Sequence, residues 1–206
     1  ECLGTKIAGK LTGNYGLMSS FSFFVAHHMS TIEGGMVCTV DSDCAEMLKI
    51  VRANGWDRNL DNRQQHKWRN RYSITSEFIA KYTFYDLGYN LRPTEITGFL
   101  GNYQLQFLDD TVQAREANYK RLARTAKDNH ELQPYKLDHL ERISNFAFPV
   151  LCKTAELREK YVYQFAGAGI EIRPMIAGNI KNQPFYKKYV KISDIDLPGA
   201  EYIDRC

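Results

Sequence analysis

The stretch from Phe21 to Val37, FSFFVAHHMSTIEGGMV, constrains the fold of this chain more than any other. It begins as a short apolar and aromatic run and reaches His27 and His28. It then turns through Met29-Ser30-Thr31 and re-enters a second apolar run through Glu33-Gly34-Gly35. Glycine reaches positive φ without steric cost, so a Gly-Gly pair between two strand-like runs predicts a hairpin or a sharp turn. The histidines then stand at the mouth of a turn that follows a buried strand, a place where scaffolds present reactive side chains. Adjacent residues of an extended backbone point to opposite faces, which argues against one metal ion shared by the pair. The local residues leave two readings open: ordinary buried, hydrogen-bonded histidines, or one histidine used for acid/base work near neutral pH.

Around this stretch lies enough chain to bury a core: 206 residues, 44% of them apolar, suit one large domain or parts of two. A net charge of +3 requires neither nucleic acid nor an anionic membrane as partner. No run approaches the roughly 20 apolar residues that cross a bilayer, and the N-terminus carries no basic-then-apolar signal pattern. The expected location is therefore the cytoplasm. Cys2, Cys38, Cys44, Cys152 and Cys206 form no CxxC pair and are odd in number, which points to reduced thiols. The chain starts on Glu1 rather than methionine and ends on Asp204-Arg205-Cys206, so it reads as a piece of a longer one.

Residues 1 to 18 are glycine-rich and read as irregular connections. After the hairpin, Ser42-Asp43 with Glu46 reads as a capped helix start, and Cys44, Met47, Leu48 and Val51 as its buried stripe, stopped at Gly55. Residues 61 to 76 are polar and basic, with His66, Trp68 and Tyr72 interleaved. They read as a solvated loop, with a nucleic-acid surface or a phosphate-bearing substrate as alternatives. Ile79 to Tyr85 reads as a strand, and Gly88-Tyr89-Asn90 as a turn into a helix opened by Pro93. That helix carries an apolar stripe of Ile96, Phe99, Leu100, Tyr103 and Phe107, and helical composition continues to about Lys127 with rising charge. The expected organisation is a first domain over 1–110, a bridging helix over 111–128 and a small α+β domain over 129–206. The last is read as a strand (Ile143 to Leu151), a helix (Thr154 to Ala166) and a strand (Gly169 to Arg173).

Four ordered motifs, SFSFFVAHH…EGGMV, RANGW.RNL, GYN.RPTE and GIEIRPM..GN...QP, resemble the DegT/DnrJ/EryC1/StrS family of pyridoxal-phosphate enzymes over nearly the whole chain. The resemblance implies an α/β, aspartate-aminotransferase-like (type I) fold. This chain would supply the C-terminal half of the large domain and most of the small one. It also implies that the earlier segments carrying most cofactor anchors lie outside these residues, and that this piece alone does not turn over substrate. His27 stands where relatives carry the lysine that tethers the cofactor, five residues after Ser22, which matches a phosphate-contacting serine. An imidazole cannot form that tether but can move protons.

The resemblance therefore implies a nucleotide-sugar 3-dehydratase that holds pyridoxamine phosphate non-covalently and removes the C3 hydroxyl of an NDP-4-keto-6-deoxyhexose. The sugar would be GDP-linked, and the pathway one of deoxysugar and O-antigen synthesis. His27 would be its base and His28 structural. Asn90 matches the asparagine that reaches the partner subunit's cofactor phosphate in a homodimer, and Glu1 falls at the end of the cofactor-binding segment. Arg58, Glu171, Arg173 and Asn179 match positions that face the nucleotide-sugar. Related dehydratases bind an iron–sulfur cluster through cysteines soon after the histidine. Here no cysteine lies between Cys44 and Cys152, so no cluster is expected, and an amino donor such as glutamate would renew the pyridoxamine form. The alternatives are a nucleotide-sugar aminotransferase of the same family and a non-catalytic module.

Overall fold

The computed structural model describes residues 2–190 and 195–206. In chain order the strands are β1 (Lys6–Ile7), β2 (Lys10–Leu11), β3 (Met18–Ser22) and β4 (Gly35–Thr39), followed by helices α1 (Ser42–Val51), α2 (Asn62–Arg71), α3 (Glu77–Ala80), α4 (Glu95–Leu105) and α5 (Leu108–Lys127). Then come β5 (Leu140–Arg142), α6 (Ala155–Gly167), α7 (Pro184–Tyr189) and α8 (Pro198–Arg205). Two compact units result: Glu1–Glu116 with His139–Phe146, and Ala117–Asp138 with Ala147–Cys206. The division falls within α5, and residues 139–146, which the sequence assigns to the later domain, pack with the first unit because β5 pairs antiparallel with β1.

In the first unit β3 and β4 form the expected hairpin, in register from Met18↔Thr39 to Ser22↔Gly35, and residues 23–34 make its loop. The Gly-Gly pair serves close approach as much as turn geometry. A Cβ on Gly34 (φ +152°) would meet Thr31 Oγ1 at 2.5 Å, and one on Gly35 would meet the Phe21 carbonyl oxygen at 2.8 Å. The left-handed turns of the loop fall instead on Ala26 (φ +69°) and Ile32 (φ +73°).

Helix α1 starts as expected, with the Asp41 side chain as N-cap for the Cys44 amide. Its buried face is not the predicted stripe: Glu46 and Ile50 are buried, whereas Cys44, Met47, Leu48 and Val51 are only half-buried. The Glu46 carboxylate can be buried because it accepts from Trp68 Nε1 at 2.9 Å and from Lys67 Nζ at 3.1 Å. Ile50, Leu60, Trp68 and Tyr85 form the local core.

The polar stretch after Asp61 is a helix, α2, rather than a loop. Asp61 and Gln64 form a reciprocal capping box, and Trp68 supplies the single buried anchor. The predicted strand over Ile79 to Tyr85 is replaced by the one-turn helix α3, capped by Ser76, and an irregular run that lies along residues 51–56. Helix α4 starts after Pro93, with a Thr94/Thr97 capping box, and its apolar stripe Ile96, Phe99 and Tyr103 is exposed.

In the second unit, Leu132 bridges Cys152, and Thr154 caps α6 in the predicted place. The Glu131 carboxylate accepts from Lys160 Nζ and from the Tyr161 hydroxyl, both on α6. Among the described residues no ladder forms over Ile143 to Leu151 or over Gly169 to Arg173. Among the described residues no helix is long and apolar enough to cross a membrane.

Candidate active site

The loop between β3 and β4 opens onto a cleft whose empty space, partly open to solvent, is about 480 Å³. Its walls include Thr12, Ser19, Ser20, Ser22, His27 and His28. Ser22 and His27, both singled out from the sequence, are thus brought to one place. Ser22 ends β3, and its hydroxyl oxygen lies 3.4 Å from the Phe24 amide that it accepts from. The half-buried His27 imidazole lies between rings, edge-on to Phe24 at 6.2 Å and tilted against Phe146 at 5.0 Å between centroids. Among the described residues no lysine lines this cleft. Four hydroxyl groups able to donate to an anion, beside two imidazoles and, among the described residues, no lysine amine, fit a phosphate-bearing cofactor held by hydrogen bonds rather than by a covalent link.

The two histidines separate as expected for neighbours on extended chain. His28 points inward and is buried, with Nε2 3.1 Å from the Ser144 carbonyl oxygen and 2.8 Å from its hydroxyl. A carbonyl only accepts, so Nε2 carries the proton. Burial, reinforced by the Arg115 guanidinium, lowers its pKa to about 4 from the ordinary 6.5.

The unfolded chain therefore takes up this proton first as pH falls. The contribution of His28 is complete above pH 6.5 and is lost between there and pH 4. The expected loss between pH 7.5 and pH 5 is about 2 kcal/mol. Unfolding free energies of the full-length protein from urea titrations at the two pH values should differ by that much more in the wild type than in His28→Asn.

Arg58 lies on an exposed turn in a rigid bracket. Its guanidinium carbon is 3.7 Å from the Trp56 ring centroid and 4.7 Å from that of Tyr82, while Nε and Nη2 donate to the Lys81 carbonyl at 3.2 and 2.7 Å. Beneath it the buried Asp57 carboxylate accepts from Arg69 Nε at 2.9 Å and from the Tyr85 hydroxyl at 3.2 Å. Burial and the neighbouring Asp57 charge push the Tyr85 phenol up.

Asn90 bridges Ala53 through its backbone, and its side chain is exposed, accepting from Arg92 Nε at 3.0 Å. It does not line the cleft of its own chain. Glu1 lies outside the described residues.

The other predicted contacts belong to the second unit. Glu171 and Arg173 form an exposed ion pair, Arg173 Nη2 donating at 2.7 Å. Asn179 is buried, its amide oxygen capping Lys181 and its amide nitrogen donating to Glu201 Oε2, both at 3.1 Å. Its side chain supports the loop rather than opening to a substrate.

Sequence reading missed Arg115. Nη1 donates to the carbonyls of Asn145 and Phe146 at 3.1 and 2.9 Å, and Nη2 to that of Ala26 at 3.2 Å. Nothing in the spacing of a charged helix marks this arginine among its neighbours.

The family model described as DegT/DnrJ/EryC1/StrS aminotransferase matches residues 1–205. A GDP-4-keto-6-deoxy-D-mannose 3-dehydratase of Yersinia pseudotuberculosis is 35% identical over 215 residues, an alignment covering 100% of this chain and 52% of that protein. The Escherichia coli GDP-4-keto-6-deoxy-D-mannose-3-dehydratase, solved with bound hydrated PLP, superposes with a TM-score of 0.84 at 31% identity, covering 100% of this chain and 53% of the other. A mutant of GDP-4-keto-6-deoxymannose-3-dehydratase with bound GDP-perosamine gives 0.83 at 30% identity, with 100% and 53% coverage. The chain thus spans about half the length of these relatives. The α/β fold of pyridoxal-phosphate-dependent transferases expected from the sequence is the one these structures share.

Proposed function

The chain belongs to the DegT/DnrJ/EryC1/StrS aminotransferase family, and from that membership we propose that the full-length protein is a pyridoxamine-phosphate-dependent nucleotide-sugar 3-dehydratase. Its substrate is a GDP-linked 4-keto-6-deoxyhexose and its setting cytoplasmic deoxysugar synthesis for O-antigen. One observation carries the reading: His27 shares a hydroxyl-lined cleft with Ser22, and among the described residues no lysine lines it. The names of the relatives, GDP-4-keto-6-deoxy-D-mannose 3-dehydratases, support it.

When bound, the cofactor supplies an amine that condenses with the sugar ketone and an electron-poor ring that stabilises negative charge. Ser22 and the neighbouring hydroxyls hold its phosphate. His27 takes, on a ring nitrogen, the proton whose removal lets the C3 hydroxyl leave. Arg58, held close to the Trp56 and Tyr82 rings, offers the rest of its guanidinium to the diphosphate. In the second unit Glu171 and Arg173 are the proposed sugar contacts, and Asn179 keeps the loop after them in shape. Asn90 reaches the cofactor phosphate of a second copy. The exposed Tyr89 and Leu91 beside it, with the exposed face of α4, support such a homodimer.

Glutamate is the proposed amino donor. Removal of one oxygen from C3 is a two-electron reduction, and conversion of glutamate to 2-oxoglutarate and ammonia supplies the electrons. Incubating the full-length protein with cofactor, glutamate and GDP-4-keto-6-deoxymannose is expected to release 2-oxoglutarate and ammonia in equal amounts with a sugar one oxygen lighter. An amino sugar formed without free ammonia would assign aminotransfer instead. No reaction in either direction would leave the non-catalytic reading.

A further inference from the structure

We propose that Arg115 is a positioning residue for His27, a clamp on both the peptide that carries the imidazole and the ring that flanks it. The inference rests on the role given to His27 above.

The Ala26 carbonyl that accepts from Arg115 Nη2 at 3.2 Å belongs to the peptide joining Ala26 to His27. Ala26 holds φ at +69°, a left-handed conformation that is unfavourable for a residue with a Cβ and persists only where surrounding contacts enforce it. Two contacts hold it here: the His27 amide donates to the Phe24 carbonyl at 3.2 Å, closing the turn, and the Ala26 carbonyl accepts from a charged donor, stronger than a neutral one.

The other guanidinium nitrogen, Nη1, is shared between the Asn145 and Phe146 carbonyls at 3.1 and 2.9 Å. The Phe146 ring lies 5.0 Å from the His27 ring, tilted by 59°. One side chain thus fixes His27 from two sides, through its backbone and through its ring neighbour. Two residues before Phe146, Ser144 receives His28, so residues 144–146 brace both histidines while Arg115 ties that brace to the loop. Substitution of Arg115 should leave the imidazole in place chemically but free it to turn.

The test uses the full-length protein labelled with ¹³Cε1-histidine, the His27 resonance being assigned by its absence from His27→Asn. Without substrate, Arg115→Met is expected to move the His27 resonance out of the ring-current field of Phe146, while those of His66 and His130 stay in place. Arg115→Lys, with one donor group in place of a fork, should move it part of the way. Turnover in Arg115→Met should fall roughly 10- to 100-fold with KM within about threefold, as expected when a reacting group is misplaced.

A folded Arg115→Met protein with an unmoved His27 resonance overturns the proposal. So does failure of both variants to fold, which would make Arg115 a folding element. If the wild type proves to have no dehydratase activity, the functional reading falls while the resonance still decides the clamp.

Discussion

Replacing His27 by asparagine is expected to lower dehydratase turnover of the full-length protein by roughly 10³-fold, the order lost with a general base, while substrate affinity stays within about threefold. Asparagine keeps a polar side chain of similar reach between Phe24 and Phe146 but cannot take up a proton. The measurement is kcat and KM from 2-oxoglutarate release, beside a titration of cofactor followed by absorbance. Loss of turnover with cofactor binding retained supports the assignment. An unaffected enzyme removes His27 from the chemistry and the dehydratase reading with it. Loss of cofactor binding would make the imidazole an anchor instead.

The second large effect is on stability. Gly55 and Gly88 let the segment carrying Arg58 and the segment carrying Asn90 touch backbone to backbone. The Tyr85 amide donates to the Gly55 carbonyl at 2.7 Å and the Asn54 amide to that of Tyr89 at 2.8 Å. A Cβ on Gly55, whose φ is +87°, would overlap the Asp86 carbonyl, and a Cβ on Gly88 would overlap the Gly55 amide nitrogen. The obstacles are backbone, which cannot rotate away. Gly55→Ala and Gly88→Ala should each cost roughly 3 kcal/mol or more, seen as a fall in the urea midpoint at constant slope. Gly167→Ala, with open space around its Cβ at the end of α6, should be neutral or gain up to about 1 kcal/mol. Equal effects at all three sites would show that the Gly55–Gly88 approach is not what the fold requires.

What the sequence revealed of this molecule follows the range over which its signals act. The start of α1 and helix α6 come from capping residues a few positions apart and stand where expected, and the hairpin forms as expected but earlier in the chain, β3 ending at Ser22 with residues 23–34 as its loop. Helix α2 was legible too, in the Asp61/Gln64 capping box, but its basic composition outweighed that signal. Over Ile79 to Tyr85, β-branched and aromatic residues promised a strand. Ser76 caps a helical turn instead, and the Arg58 guanidinium gathers the Trp56 and Tyr82 rings around it without a ladder. Apolar spacing in α1 could not reveal that a carboxylate would be buried, because the indole that satisfies it lies 22 residues away. His27 and Ser22 were found by resemblance to a family, not by periodicity. Arg115 escaped both, since its partners are carbonyls at positions 26, 145 and 146 and carbonyls leave no trace in residue type.

The pairing of His28 with Ser144 spans 116 positions of the chain. The hairpin needs only its own residues and can zip within microseconds of leaving a ribosome, whereas closing so distant a contact is slow and comes late. During synthesis the imidazole of His27 therefore waits in an unbraced loop until Phe146 has emerged. The loop that carries His27 ripens after its scaffold, and a nascent chain halted before that point would carry a paired hairpin and an unbraced histidine.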